Sequence, residues 1–190
     1  MLVLICHRYL QYFIWFFIII LFSCNDAEYQ LDNEFDPENL GLEPPTIFFH
    51  PSEFDPIEIG RKDTLELYSY EVTNAAGAHL QVEFDAEVIT INAVEYGDFF
   101  MNGSSDPIMF TDPSVFTEEQ NGTLNIYLFY QPSLSSASAT GTMSMAKIIF
   151  TVTDEGSAPI RYTENTVLRN PSNDSIILNK FGEGSINATQ

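Results

Sequence analysis

From position 46 onward the chain alternates apolar and polar side chains. Residues 64–72, 80–84 and 88–94 follow a period of two, with Leu65 and Leu67, Leu80 and Val82, and Ile89 and Ile91 on one side of each run. That spacing sends successive side chains to opposite faces of a strand. Further β-rich runs occupy 46–50, 108–111, 123–130, 145–152, 160–163, 166–168, 175–178 and 185–187. Clusters of Gly, Asn, Asp and Pro at 74–77, 102–103, 121–122, 154–156, 170–173 and 182–184 separate them as turns. No stretch after position 45 keeps helical spacing for three turns, there is no internal repeat, and 133–142 is a small-residue loop. About nine to eleven short strands in about 145 residues predict one all-β domain of two packed antiparallel sheets.

The N-terminus follows a different pattern. Arg8, beside His7, precedes an apolar run of 14 residues, 9–22, broken only by Gln11. Charge followed by an apolar run is the order of an export signal. The run is shorter than the roughly 20 residues a spanning helix needs, and extending it backwards would bury Arg8. It ends in Leu21-Phe22-Ser23-Cys24, which resembles the bacterial lipobox, with Phe22 bulkier than is usual at its position. The expectation is an exported lipoprotein: residues 1–23 a signal peptide, Cys24 the lipidated first residue, and the rest held at the membrane through that lipid. An uncleaved anchor helix would leave the domain on the same side, periplasmic or extracellular.

Charge narrows the partners. All 27 acidic residues follow Cys24, against six basic ones, Arg61, Lys62, Lys147, Arg161, Arg169 and Lys180, so this part carries a net charge of about −21. A nucleic-acid binder needs a basic stripe, which rules that class out. Residues 24–45 hold seven acids, no base, and end in Pro44-Pro45, which predicts a self-repelling flexible tether before a domain at 46–190. With Cys6 in the signal and Cys24 carrying lipid, that domain has no thiol, so its core alone must hold it.

Catalytic chemistry is sparse. His50 and His79 stand in no metal-ligand spacing with another His or Cys. Glu118-Glu119 could serve a glycosidase, but among 27 acids such pairs arise by chance. Asp98, Asp106 and Asp112 lie among turns without the spacing of a calcium loop, and read as solvated loop acids. The expectation is no enzyme, no metal and no cofactor. Asn-x-Ser/Thr triplets at Asn102, Asn121, Asn173 and Asn187 have no role in a bacterial lipoprotein.

One order of strand and turn residues runs from Pro51-Ser52 to Ile59-Gly60, through Asp63-Thr64, Val72-Thr73-Asn74, Gly77-Ala78, 80–85 and Val88-Ile89. It resumes at Gly141-Thr142, 146–152, 166–170, Asn173-Asp174, 175–178 and 184–187. In this order the chain resembles the cohesin domain family. The likeness covers about residues 46–188 and departs most at 97–120, where extra aromatic residues and Asp-Pro pairs occur. The resemblance implies an all-β, two-sheet antiparallel jelly-roll sandwich of about nine strands. It also implies a non-catalytic cell-surface module that docks a dockerin-like partner protein, in polysaccharide degradation or adhesion. The alternative is a carbohydrate-binding module that recognises a polysaccharide directly. Stacking platforms favour Trp, and the single Trp15 lies in the signal.

One strand carries the candidate face. If Leu124, Ile126 and Leu128 face the core, then Asn125, Tyr127 and Phe129 face outward. In cohesins the partner-binding face includes the strands that 123–130 and 80–84 resemble, and in the second of these His79, Gln81 and Glu83 would face outward. The competing expectation is that the 97–120 connection covers Tyr127 and Phe129.

Overall fold

The computed structural model describes residues 37, 39–103, 105–112, 122–131 and 137–190. The export signal, Cys24, Glu118-Glu119 and Asn121 lie outside the described residues, as does the whole of the compact unit Met1–Asp32; everything below concerns the unit Asn33–Gln190.

Alternation is plain in β3 (Lys62–Tyr70), where Leu65, Leu67 and Ser69 turn inward while Thr64, Glu66 and Tyr68 stay half-exposed. Strand β3 pairs antiparallel with β1 (Thr46–His50) on one edge and β10 (Ser144–Val152) on the other, and β6 (Ile89–Tyr96) closes this four-stranded sheet beyond β10. The second sheet is built around β5 (Gly77–Glu83). One edge of β5 carries β8 (Thr123–Phe129), with β7 (Ile108–Thr111) beyond it. The other edge is shared: β12 (Val167–Arg169) pairs with 77–79 and β11 (Gly156–Tyr162) with Val82 and Glu83. Beyond these stand β13 (Ser175–Ile176) on one side and β14 (Gly184–Thr189) and β2 (Ile57–Glu58) on the other.

Fourteen strands occur among the described residues, more than the nine to eleven expected. The surplus is short. β4 (Val72–Ala75) and β9 (Ala139–Gly141) form a two-stranded ribbon where a turn and a small-residue loop were expected. Side chains hold that ribbon, since Glu71 N–H donates to Thr142 Oγ1 and Asn74 N–H to Thr140 Oγ1, both at 2.9 Å. β2 runs parallel to β14, against the antiparallel expectation. The chain brushes that edge while passing between β1 and β3 of the other sheet, so the crossover sets its direction. The sandwich otherwise follows the antiparallel jelly-roll reading.

Between the sheets lies one core. Phe49, Leu65, Leu67, Phe150 and Val152 meet Leu80, Leu124, Ile126, Leu128, Ile160 and Ile186, all fully or almost fully buried. Two of the unusual aromatics of the 97–120 connection also belong there: Phe99 and Phe100 sit fully buried in the single-turn helix α1 (Asp98–Met101). The tether reading stops short of Pro45, because Leu42 is buried and Asn179 holds the carbonyls of both Pro44 and Pro45. An apolar side chain within reach of a packed surface outweighs the repulsion among the few acids around it. Buried polar atoms are paired: Thr46 Oγ1 donates to the Lys180 carbonyl, and Ser69 Oγ to the Met143 carbonyl at 3.0 Å.

Tyr162 spans the core, its ring stacked 4.3 Å from Phe49 and its hydroxyl donating to the Phe48 carbonyl at 3.2 Å. Burial pushes its phenol well above the ordinary value of 10.0. The folded chain therefore keeps a proton that the unfolded chain releases, so Tyr162 supports the fold fully below pH about 10 and loses that support as pH rises further. In denaturant titrations, stability should fall steeply above pH about 10. Tyr162→Phe should lower stability at neutral pH through the lost hydrogen bond, yet flatten the alkaline decline. An unchanged alkaline slope would show that another group controls it.

Candidate functional site

The outer surface of the second sheet has two rows of side chains running across four strands. Register aligns Val167, His79, Tyr127 and Phe110 in one row, and Arg169, Gly77, Phe129 and Ile108 in the next. Phe110 is 58% exposed and Tyr127 41%, whereas Phe129 is half-buried with its ring stacked 5.9 Å from that of Phe110. The rings of His79 and Tyr127 stack at 4.4 Å with an interplanar angle of 7°. Leu124, Ile126 and Leu128 are fully buried on the opposite face.

Beneath this surface β5 changes partners. Gln81 lies between the stretch that pairs with β12 and the stretch that pairs with β11, so its backbone groups need other partners. Thr166 Oγ1 accepts from Gln81 N–H at 3.0 Å and donates to the Gln81 carbonyl at 3.1 Å, and the Thr163 N–H donates to the same carbonyl at 3.0 Å. Above that junction, Asn125 Oδ1 lies 3.0 Å from His79 Nε2 and accepts from Gln81 Nε2 at 2.9 Å. Gln81 Oε1 accepts from Thr163 Oγ1 at 2.6 Å and Asn165 Nδ2 at 2.9 Å. The polar groups of this cluster are largely spent on one another, which fixes their geometry.

Five of the six candidate residues therefore meet: His79, Gln81, Asn125, Tyr127 and Phe129. Glu83 does not join them. It stands at the far end of β5 opposite Thr123 and Arg161, beyond the polar cluster. The connection after β6 leaves Tyr127 open over its described part, because residues 108–111 lie beside β8 as a strand instead of over it. That placement adds Phe110 to the face, and the β12 pairing adds Val167 and Arg169, none of which the sequence singled out. Phe110 stood in a recognised β-rich run, but nothing local says which strand it joins.

A cleft of about 780 Å³ opens on this face. It runs over residues 76–79, with Phe110, Tyr127 and Phe129 along one side and Val167, Arg169 and Asn170 along the other. Among the described residues no group of three His, Asp, Glu or Cys is placed to hold a metal, and Asp98, Asp106 and Asp112 do not converge. His50 belongs to the other sheet, edge-on to Tyr68.

Sequence comparison matches residues 64–188 to the cohesin domain family. No curated protein matches the chain. Among solved structures, a type II cohesin–X-dockerin complex from Acetivibrio cellulolyticus is similar at 17% identity and a TM-score of 0.59, covering 76% of this chain and 98% of that one. The sixth cohesin of scaffoldin B from the same organism, in complex with a Cel5 dockerin, aligns at 13% identity and a TM-score of 0.57, covering 76% and 98%. A non-cellulosomal cohesin from the archaeon Archaeoglobus fulgidus aligns at 11% and 0.57, covering 76% and 91%. At these identities the likeness speaks to the fold.

Proposed function

As the chain belongs to the cohesin domain family, we propose that it is a non-catalytic module that captures a dockerin-like partner on the outer face of β12, β5, β8 and β7. The observation that carries this reading is the aromatic face itself, with exposed Phe110 and Tyr127 set in register across β7 and β8. Aromatic side chains give large contact area for little conformational entropy, and interfaces concentrate their energy in such anchors. The rigid polar cluster beside them adds orientation without needing to rearrange. The test is binding of the full chain to a panel of dockerin modules on one common carrier, alongside insoluble polysaccharides. Capture of a dockerin and not of the carrier supports docking. Retention on polysaccharide alone would replace it with direct glycan recognition.

The module's place at the membrane rests on the N-terminal order of Arg8, the apolar run 9–22 and Leu21-Phe22-Ser23-Cys24. In this reading Cys24 carries the lipid and the domain stands on the periplasmic or extracellular side, where it holds a partner in polysaccharide degradation or adhesion. Cys24→Ser is expected to shift the protein from the membrane fraction to the soluble exported fraction, or to leave the precursor uncleaved. A variant still processed and still membrane-bound would refute the anchor.

A further inference from the structure

Within the face just described, one position has no side chain. Gly77 lies between Arg169 on β12 and Phe129 on β8, so the second row has a slot with Phe129 as one wall and Arg169 as the other. Two strand spacings separate those walls, roughly 10 Å, which is room for one inserted side chain. A Cβ at Gly77 would already stand 3.3 Å from the Leu128 carbonyl and 3.4 Å from Phe129 Cβ, so the slot is open because the residue is glycine.

The charge of this slot runs against that of the chain. The sequence has 27 acids and 7 Lys and Arg, yet among the described residues lining the cleft there is no acid, and Arg169 is the one Lys or Arg. Arg169 makes no ion pair among the described residues; within them its guanidinium makes one hydrogen bond, from Nη1 to the Asn173 carbonyl at 2.8 Å. The nearest acid in its hairpin, Asp174, is engaged elsewhere, its Oδ2 taken by Asn170 Nδ2 at 3.3 Å. That turn is braced, because Asn170 Oδ1 also accepts from the N–H groups of Ser172 and Asp174. One edge of the guanidinium is therefore fixed while its other donors remain open, a geometry suited to a carboxylate.

Resting on the docking reading above, we propose that the slot receives an acidic side chain of the docked module, its aliphatic stem against Phe129 and its carboxylate on Arg169. Because the rest of the chain repels anions, an acid is accepted at this point and disfavoured around it, so Arg169 discriminates among partners by where their acid lies. A protein side chain fits better than a sugar here, since most polar groups beside the cleft already satisfy one another and few are left for hydroxyls.

The experiment titrates the full chain with phenylbutyrate and with its uncharged amide, followed by amide chemical shifts. Phenylbutyrate should move the signals of Gly77, Phe129 and Arg169 and bind roughly three- to five-fold tighter than the amide, as an exposed ion pair allows. Arg169→Gln should bring the two ligands to parity with an unchanged melting temperature. Parity in the unmodified chain, or no response at these residues, would overturn the proposal. Tighter binding of trigalacturonate at the same signals would overturn it in favour of an acidic glycan. Equal capture of a dockerin by the unmodified chain and Arg169→Gln would sink the slot and leave docking standing. Discrimination between the two ligands without capture of any dockerin would uphold the slot chemistry and remove the docking reading.

Discussion

Replacing Phe110 and Tyr127 together by alanine is expected to weaken capture of the best-bound dockerin by roughly 30- to 700-fold, the loss of one to two aromatic anchors of about 2 kcal/mol each. The melting temperature should stay within a few degrees. Both rings lie on the exposed face, while the core of the same strands is made by Leu124, Ile126, Leu128 and Leu80 on the opposite face. Phe129 is left intact in this variant because it is half-buried, so its removal would mix folding with binding. Affinity by calorimetry and melting by circular dichroism must come from the same preparation. Undiminished affinity would move the docking surface off this face, whereas a large drop in melting temperature would show the rings to be structural. His79 offers a smaller effect in the same direction, since its ring supports that of Tyr127.

The second large effect is on the fold. Gly97 joins β6 to α1 with its N–H donating to the Met145 carbonyl at 3.1 Å. A Cβ there would lie 2.2 Å from the Ser144 carbonyl oxygen and 2.4 Å from its carbon, both backbone atoms of β10, a strand clamped between β3 and β6. Neither side can yield cheaply, so Gly97→Ala should cost about 3 kcal/mol or more, at the upper end of overpacking. Gly60 makes the control: it has φ of +85° with open space around it, so Gly60→Ala should cost only about 1–2 kcal/mol, through backbone strain alone. Denaturant midpoints would separate the two, and a Gly97→Ala variant no worse than Gly60→Ala would show that β10 and the α1 entry are free to part. The functional consequence is indirect. The same connection delivers Phe110 to the proposed docking face, with Tyr96 Oη accepting from Met109 N–H at 3.0 Å, so a displaced α1 should also weaken capture.

Some misreadings have a common cause. The expected turn at 74–77 contains Asn74 in a left-handed conformation, as turn chemistry predicts, yet the residues still pair across to β9 with a bulge between Val72 and Ala75. Likewise Pro159 hid the beginning of β11, which runs through it opposite Ser185. Turn-forming residues describe what a backbone prefers locally, and neighbouring strands can still hold them in a ladder, at Asn74 with the Thr140 hydroxyl accepting its N–H.

What the sequence determined by itself is the facing of each strand. Period two is a stereochemical property of a few consecutive residues, so Leu124, Ile126 and Leu128 could be assigned to the core, and Asn125, Tyr127 and Phe129 to the surface, without knowing any other strand. The family likeness, carried by the same strands and turns, pointed to the sandwich as well. Only the tertiary structure decided which strands stand side by side. Phe110 lies next to Tyr127, and Arg169 across Gly77 from Phe129, because β7 joins β8 and β12 joins β5 through ladders closed over long stretches of chain. Strand order is settled by the competition of all edges for partners and by burial of the whole core, and no window of local sequence holds that information.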